Sequence, residues 1–314
     1  MRRLSAVLAL LLATTVLSAC NSDPEKSPGA APAAGNGPVK ELVDRLPEAI
    51  RKAGVLRLAG DSHPPYRSVG TDGKTVTGLD PDLQAALGRV LGLKPEISIV
   101  NGLPAALTGM LSGRYDGFNG PVKDTAEREK DFDAVVWMTT RTAYLVPTES
   151  KAGIRTSADI CGKKVAAVTG SIVEDQIKKL TAWCTKNGKQ AVTFIGLADT
   201  NATILAAKSG RADAAGMTEG AAIDAKAKDK DAYTYVTQTD EQGAGVDQLA
   251  MLVPKSSGLG PVLRDAFTVL LDSGEYLEIM KKYGLDNVAV KQIGYNTAAP
   301  KTSGPGSPAP SAST

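Results

Sequence analysis

Apolar residues recur along this chain in two alternating rhythms. Residues 55–59 form an apolar run of strand length, and residues 80–91 carry apolar side chains at 83, 86, 87, 90 and 91, the spacing of one helix face. Residues 96–100 alternate as a half-buried strand does, residues 104–112 predict a short helix ended by Gly113, and residues 115–118 predict a third strand. A β-α-β-α-β order implies a parallel sheet with helices on both faces. The pattern then restarts. Residues 164–168 read as a strand, Gly170-Ser171 opens a helix over 172–187, and residues 191–195 read as a strand. A helix over 201–209 stops at Gly210, followed by a strand over 212–217 and a helix over 221–228.

Residues 143–147 form an apolar strand leading into Thr148-Glu149-Ser150, the expected crossing between the two units. Residues 248–253 predict a strand, and helices over 259–273 and 275–282 are expected to pack back on the first unit. The expected fold class is therefore α/β with two lobes, each a mostly parallel sheet with helices on both faces. Lobe 1 takes residues 39–146 and 247–295; lobe 2 takes residues 147–246. In open α/β sheets ligands bind outside the C-terminal strand ends. Two such ends facing each other make a cleft that closes by hinge bending.

The termini read differently. Arg2 and Arg3 precede an apolar stretch over 4–16, too short to span a bilayer comfortably. It ends in Leu17-Ser18-Ala19-Cys20, which looks like a bacterial lipobox with Cys20 as the lipidated residue. Residues 21–38 are rich in Ser, Pro, Ala, Gly and Asn and read as a flexible tether; residues 296–314 have the same composition and read as a disordered tail. Removal of residues 1–20 leaves equal numbers of basic and acidic side chains. That balance argues against a nucleic-acid partner, which needs a basic face. An apolar fraction of 42% provides for a normal core, and a single His with three Cys leaves no room for a multi-histidine metal site or zinc knuckle. No cofactor is expected. With Cys20 lipidated, Cys161 and Cys184 remain in an oxidising compartment and are expected to pair.

The candidate chemistry lies in the loops between these elements. Asp124 with Glu127 three residues on reads as a capping box, setting Arg128 one turn into a helix. On the residues alone, Arg128 reads as a solvated cation within Glu127-Arg128-Glu129-Lys130-Asp131. Thr169-Gly170-Ser171 precedes a helix whose first N–H groups offer an anion site, and Ser171 reads equally as a plain N-cap. His63 beside Pro64 reads as a turn residue, and Asn119 as a donor or acceptor at the rim.

Seven stretches in order then resemble the family 3 extracellular solute-binding proteins, the polar amino-acid receptors of ABC importers. They are Gly54 to Asp61 with Pro64-Pro65-Tyr66, Gly78 to Leu83, Leu111 to Asp116, Asp124 to Glu129, Asp159 to Val165, Ser209 to Asp213 and Gly274 to Gly284. Cysteines placed like Cys161 and Cys184 also resemble an actinobacterial branch. The resemblance implies a two-lobed periplasmic-binding-protein-like fold of type II. It implies a monomeric binding protein rather than an enzyme, held by lipid on the outer face of the membrane and handing its solute to an ABC permease and its ATPase. Carried over by position, Arg128 grips a ligand carboxylate, Gly120 and Pro121 line the ligand, Tyr66 covers it and Ser171 caps the carboxylate. Trp137 falls on a family aromatic near the hinge and reads equally as core.

Two positions depart from the family. Lys123 stands where Ser or Thr is usual, and Thr218 where an Asp holds the ligand's ammonium; Glu219, one residue on, is the candidate replacement. Both changes make the site more positive, which suggests an acidic ligand. Two other readings fit the same fold: a dehydratase-like enzyme with Glu219 as its acid or base, and a sensor or interaction lipoprotein.

Overall fold

A computed structural model describes residues 37–298. The signal segment, Cys20, nearly all of the tether and the tail past 298 lie outside the described residues. Two sheets organise the chain. The first has six strands in the order Ala289–Tyr295, Phe132–Thr140, Asp247–Pro254, Gly117–Lys123, Val55–Gly60 and Lys94–Ile99. The second has five, in the order Tyr233–Thr237, Thr142–Pro147, Ala214–Thr218, Lys164–Val168 and Thr193–Leu197.

The two β-α-β-α-β units form as expected, and they share one closing device. Ser112-Gly113-Arg114 and Ser209-Gly210-Arg211 each end a helix and lead to an aspartate. Asp116 accepts from the backbone N–H of Arg57, and Asp213 from that of Lys164, both at 2.8 Å. In each case the aspartate fixes the start of the neighbouring parallel strand.

Three expectations need correction. The sheets are mixed rather than mostly parallel. In the first, Asp247–Pro254 runs antiparallel to both Gly117–Lys123 and Phe132–Thr140. In the second, Thr142–Pro147 runs antiparallel to both Ala214–Thr218 and Tyr233–Thr237. Each is the strand by which the chain enters a lobe from the other, so it runs against the strands that the lobe builds itself. Consequently Thr142–Pro147 belongs to lobe 2, and the first crossing falls at Arg141 rather than at 148–150. The polar Thr148-Glu149-Ser150 is a turn, closed by Ser150 N–H to the Pro147 carbonyl at 2.9 Å. Finally, residues 296–298 are anchored rather than part of a loose tail. Asn296 donates to Asp133 at 3.0 Å, Thr297 N–H donates to Asp124 at 2.7 Å, and Ala298 N–H to Glu129 at 2.7 Å.

The core lies on both faces of the first sheet. Phe132, Ala134 and Val136 pack with Leu103, Ala106 and Met110 of the helix Leu103–Leu111 on one face. Val135 and Trp137 pack on the other face, with the helices Leu79–Leu91 and Gly260–Asp272. Trp137 is therefore a core residue. It stacks on Phe267 at 6.3 Å, and its indole N–H donates to the Asn119 carbonyl at 3.1 Å. In lobe 2, Cys161 and Cys184 form the expected disulfide, Cα–Cα 5.6 Å, tying the loop before Lys164–Val168 to the helix Ile172–Lys186. Among the described residues, no helix is long and apolar enough to cross a membrane.

Candidate functional site

Where the C-terminal strand ends of the two sheets meet, they enclose a small cavity of about 30 Å3. Lobe 1 lines it with Asp61, His63, Leu103, Phe118, Pro121, Val122, Lys123 and Arg128; lobe 2 adds Val168, Ser171, Ile172, Val173, Thr200, Gly216, Met217 and Thr218. A volume near 30 Å3 holds a water or two, so the lobes stand closed on one another.

Arg128 spans the closure. The turn before it is set by Thr125, whose hydroxyl accepts from Arg128 N–H at 3.2 Å. Arg128–Lys130 is a single 3-10 turn, not an α-helix with the expected capping box, because Asp124 is occupied by Thr297 N–H and hydroxyl, both at 2.7 Å. The guanidinium donates to the Lys123 carbonyl of lobe 1 and the Gly170 carbonyl of lobe 2, each at 2.8 Å. Burial pushes its pKa down, with Asp175 and Asp124 opposing from a distance. A half-buried guanidinium bonded to two neutral carbonyls is a site that favours an anion.

Beside it, Ser171 opens the helix Ile172–Lys186 but makes no capping bond, and its buried hydroxyl has no partner. The plain N-cap reading of Ser171 is thus replaced by a hydroxyl at the cavity. Lys123 also lines the cavity, but its ammonium pairs with Asp247 at 2.8 Å, and Asp247 accepts in turn from Gln176 at 2.5 Å. It is not the second free cation that the sequence suggests.

The remaining sequence candidates separate. Pro121 and Thr218 line the cavity. Glu219 does not; it begins the helix Glu219–Lys228, and its carboxylate accepts from Thr237 at 2.9 Å. Tyr66 is wholly buried behind the lining, edge-on to His63 with ring centroids 5.2 Å apart. Its hydroxyl reaches into the next lobe at Gly220, where an added Cβ would lie 2.8 Å from it. Burial raises that phenol's pKa. Asn119 is not at the rim: its side chain is buried with both amide atoms unpartnered. Gly120 lies behind the lining too, its carbonyl accepting from Arg67.

Sequence reading missed Asp61, Arg67 and Thr200, and the cross-lobe contacts of the His63 ring. Arg67 is 1% exposed and sits between two carboxylates, pairing with Asp61 at 2.5 Å and with Asp80. Its Nε donates to the Asp61 carbonyl at 2.8 Å, and its guanidinium lies 5.0 Å from the Phe118 ring centroid. Gly60 makes room for it, since a Cβ there would fall 2.6 Å from the Arg67 stem. One guanidinium cannot neutralise two buried carboxylates equally. Burial pushes Asp80 upward against the pull of Arg67, and one of its oxygens is unpartnered.

His63 closes the turn 64–66, as expected, its backbone paired with that of Arg67 in both directions at 2.9 Å, and its ring faces the other lobe. It joins the lobes, with Nδ1 2.9 Å from the Thr200 hydroxyl and Nε2 3.4 Å from the Thr218 hydroxyl. Burial in the closure pulls its pKa down to about 4; Asp61 opposes and Arg67 adds to the shift. Beside it, Thr200 N–H donates to the Ser62 carbonyl at 3.3 Å and the Asn201 amide to the Ser62 hydroxyl at 2.7 Å. Among the described residues, no group of three or more His, Cys, Asp or Glu is arranged to hold a metal ion.

Known proteins are similar to this chain in sequence and fold. The arginine-binding protein ArgT of Corynebacterium glutamicum is 28% identical over 91% of this chain and 92% of its own. A substrate-binding protein of an amino acid ABC transporter, AbpA from Streptococcus pneumoniae bound to L-arginine, is 25% identical, with a TM-score of 0.64 over 77% of this chain and 100% of that one. An ancestral amino acid-binding protein, AncCDT-1, a precursor of cyclohexadienyl dehydratase, has the same fold: 23% identity and a TM-score of 0.64 over 75% of this chain and 98% of that one. The profile of the bacterial extracellular solute-binding proteins, family 3, matches residues 56–286. The chain, with two α/β lobes bridged by an arginine, belongs to that family.

Proposed function

We propose that the mature protein is a monomeric receptor, held by lipid on Cys20 at the outer face of the membrane. It captures a small carboxylate-bearing solute, an amino acid or a derivative, by lobe closure and delivers it to an ABC permease and its ATPase. The observation that carries this reading is Arg128, a half-buried guanidinium at the cavity whose hydrogen bonds go to carbonyls of both lobes. A ligand carboxylate there would gain two parallel N–H donors, the unpartnered Ser171 hydroxyl and the positive end of the following helix. Because Arg128 also touches lobe 2, ligand capture and lobe closure act through the same side chain.

The relatives supply the amino-acid half of the reading, since two of them are described by the arginine they bind. The solute is bound and released unchanged. Glu219, the acid or base that a dehydratase would need, is held by Thr237 outside the lining. The test is mass spectrometry of the small molecule released when the purified mature protein is denatured. A carboxylate recovered near one equivalent supports the reading; repeated recovery of none, with no carboxylate binding on titration, counts against it.

A further inference from the structure

We propose that Arg67 is a specificity-determining residue that closes the cleft to cationic side chains, so that the solute is a carboxylate whose distal part is neutral or anionic. The inference rests on the receptor reading above and narrows its ligand.

Among the described residues that line the cavity, Asp61 is the one carboxylate. A guanidinium or ammonium entering the cleft needs a carboxylate to replace its lost water. Asp61 already has a cation behind it: Arg67 pairs with its carboxylate at 2.5 Å and donates to its carbonyl at 2.8 Å. Arg67 does not line the cavity and cannot swing aside, being fixed also by Asp80, the Gly120 carbonyl and the Phe118 ring. For a cation touching Asp61 from the cleft, the Arg67 charge lies just behind the carboxylate and cancels part of the attraction; Asp80, paired with Arg67 as well, is farther from the cleft and restores less than Arg67 removes. The cost of stripping water from the incoming cation is not reduced in proportion.

The other acids near the cleft offer no substitute. Asp247 is held by Lys123 and Gln176, and Glu219 by Thr237. Thr218 is a neutral hydroxyl. A neutral donor, such as an amide, is affected far less by Arg67, because its hydrogen bond to Asp61 does not depend on an uncompensated charge. The chain thus carries its own guanidinium where a basic ligand would place one.

The test is calorimetry of the mature protein with L-arginine, L-glutamine and L-glutamate. L-glutamine or L-glutamate is expected to bind at least about tenfold more tightly than L-arginine. Arg67→Gln frees Asp61 and moves the ratio toward L-arginine by about tenfold or more; adding Asp61→Asn to that variant reverses the gain. Circular dichroism checks that both variants fold, and if Arg67→Gln does not, the wild-type ranking decides by itself. Tightest binding of L-arginine by wild type overturns the inference and leaves the receptor reading standing. Failure of all three, with no other carboxylate bound, overturns the receptor reading and the inference together.

Discussion

Protonation of His63 should open the cleft, and the size of the effect follows from the closure geometry. In the closed form the imidazole lies between Thr200 and Thr218, and burial holds its pKa at about 4. When the lobes part, both lobe 2 partners are lost and the ring returns to water, where its value is about 6.5. The closed form therefore binds the proton more weakly than the open form. Acid favours opening; closure is at full strength above about pH 6.5 and is lost progressively as the pH falls toward 4. At pH 5 the linkage relation gives a closed-to-open ratio about thirtyfold lower than at pH 8, and ligand affinity falls with it. Asp61 and Arg67 face the ring from lobe 1, while Lys123 and Arg128 line the same cavity. The chain has one histidine, so a tag-free sample gives a single imidazole signal in an NMR titration. A midpoint far below 6.5 with ligand bound, and weaker binding at pH 5 that His63→Gln removes, are expected. A midpoint near 6.5 in the ligand-bound protein would refute the reasoning.

The other predictions are independent of His63. Arg128→Ala should weaken carboxylate binding by roughly ten- to a hundredfold, since a hydrogen bond to a charged group contributes about 1.5–3 kcal/mol; unchanged calorimetry would remove Arg128 from the site. Reduction of Cys161–Cys184 should cost up to about 3 kcal/mol of unfolding free energy, read by denaturant titration, and two thiols titrating in the oxidised native protein would contradict the bond. Cys20→Ala should leave the precursor uncleaved or release the protein from membranes; wild type recovered free in the medium without acyl chains would count against the anchor.

Legibility in the sequence followed the range of the signals. The β-α-β-α-β units were readable because their helices show one apolar face and the second helix of each unit ends at a Ser-Gly-Arg turn leading to Asp116 or Asp213. The strand Phe132–Thr140 gave no period because both faces are buried, with Val136 and Trp137 pointing into opposite layers. The crossing was misplaced because polar Thr148-Glu149-Ser150 looks like a linker, whereas the real crossing is a single residue between two strands. Arg128, Pro121, Ser171 and Thr218 were singled out through the family pattern, and they line one cavity. Arg67 was not, because a buried arginine looks in sequence like any exposed one. Its partners Asp61 and Asp80 lie six and thirteen residues away, at no helical or strand spacing. The contacts of the His63 ring were missed for a related reason: both of its hydroxyl partners come from the other lobe, more than a hundred residues on.

A crystal structure of the mature protein with its co-purified solute tests the central claim most directly. The account predicts a carboxylate within hydrogen-bonding distance of the Arg128 guanidinium and the Ser171 hydroxyl, with Arg67 still paired to Asp61. A solute seated away from Arg128, or one whose cationic group displaces Arg67 from Asp61, would contradict it.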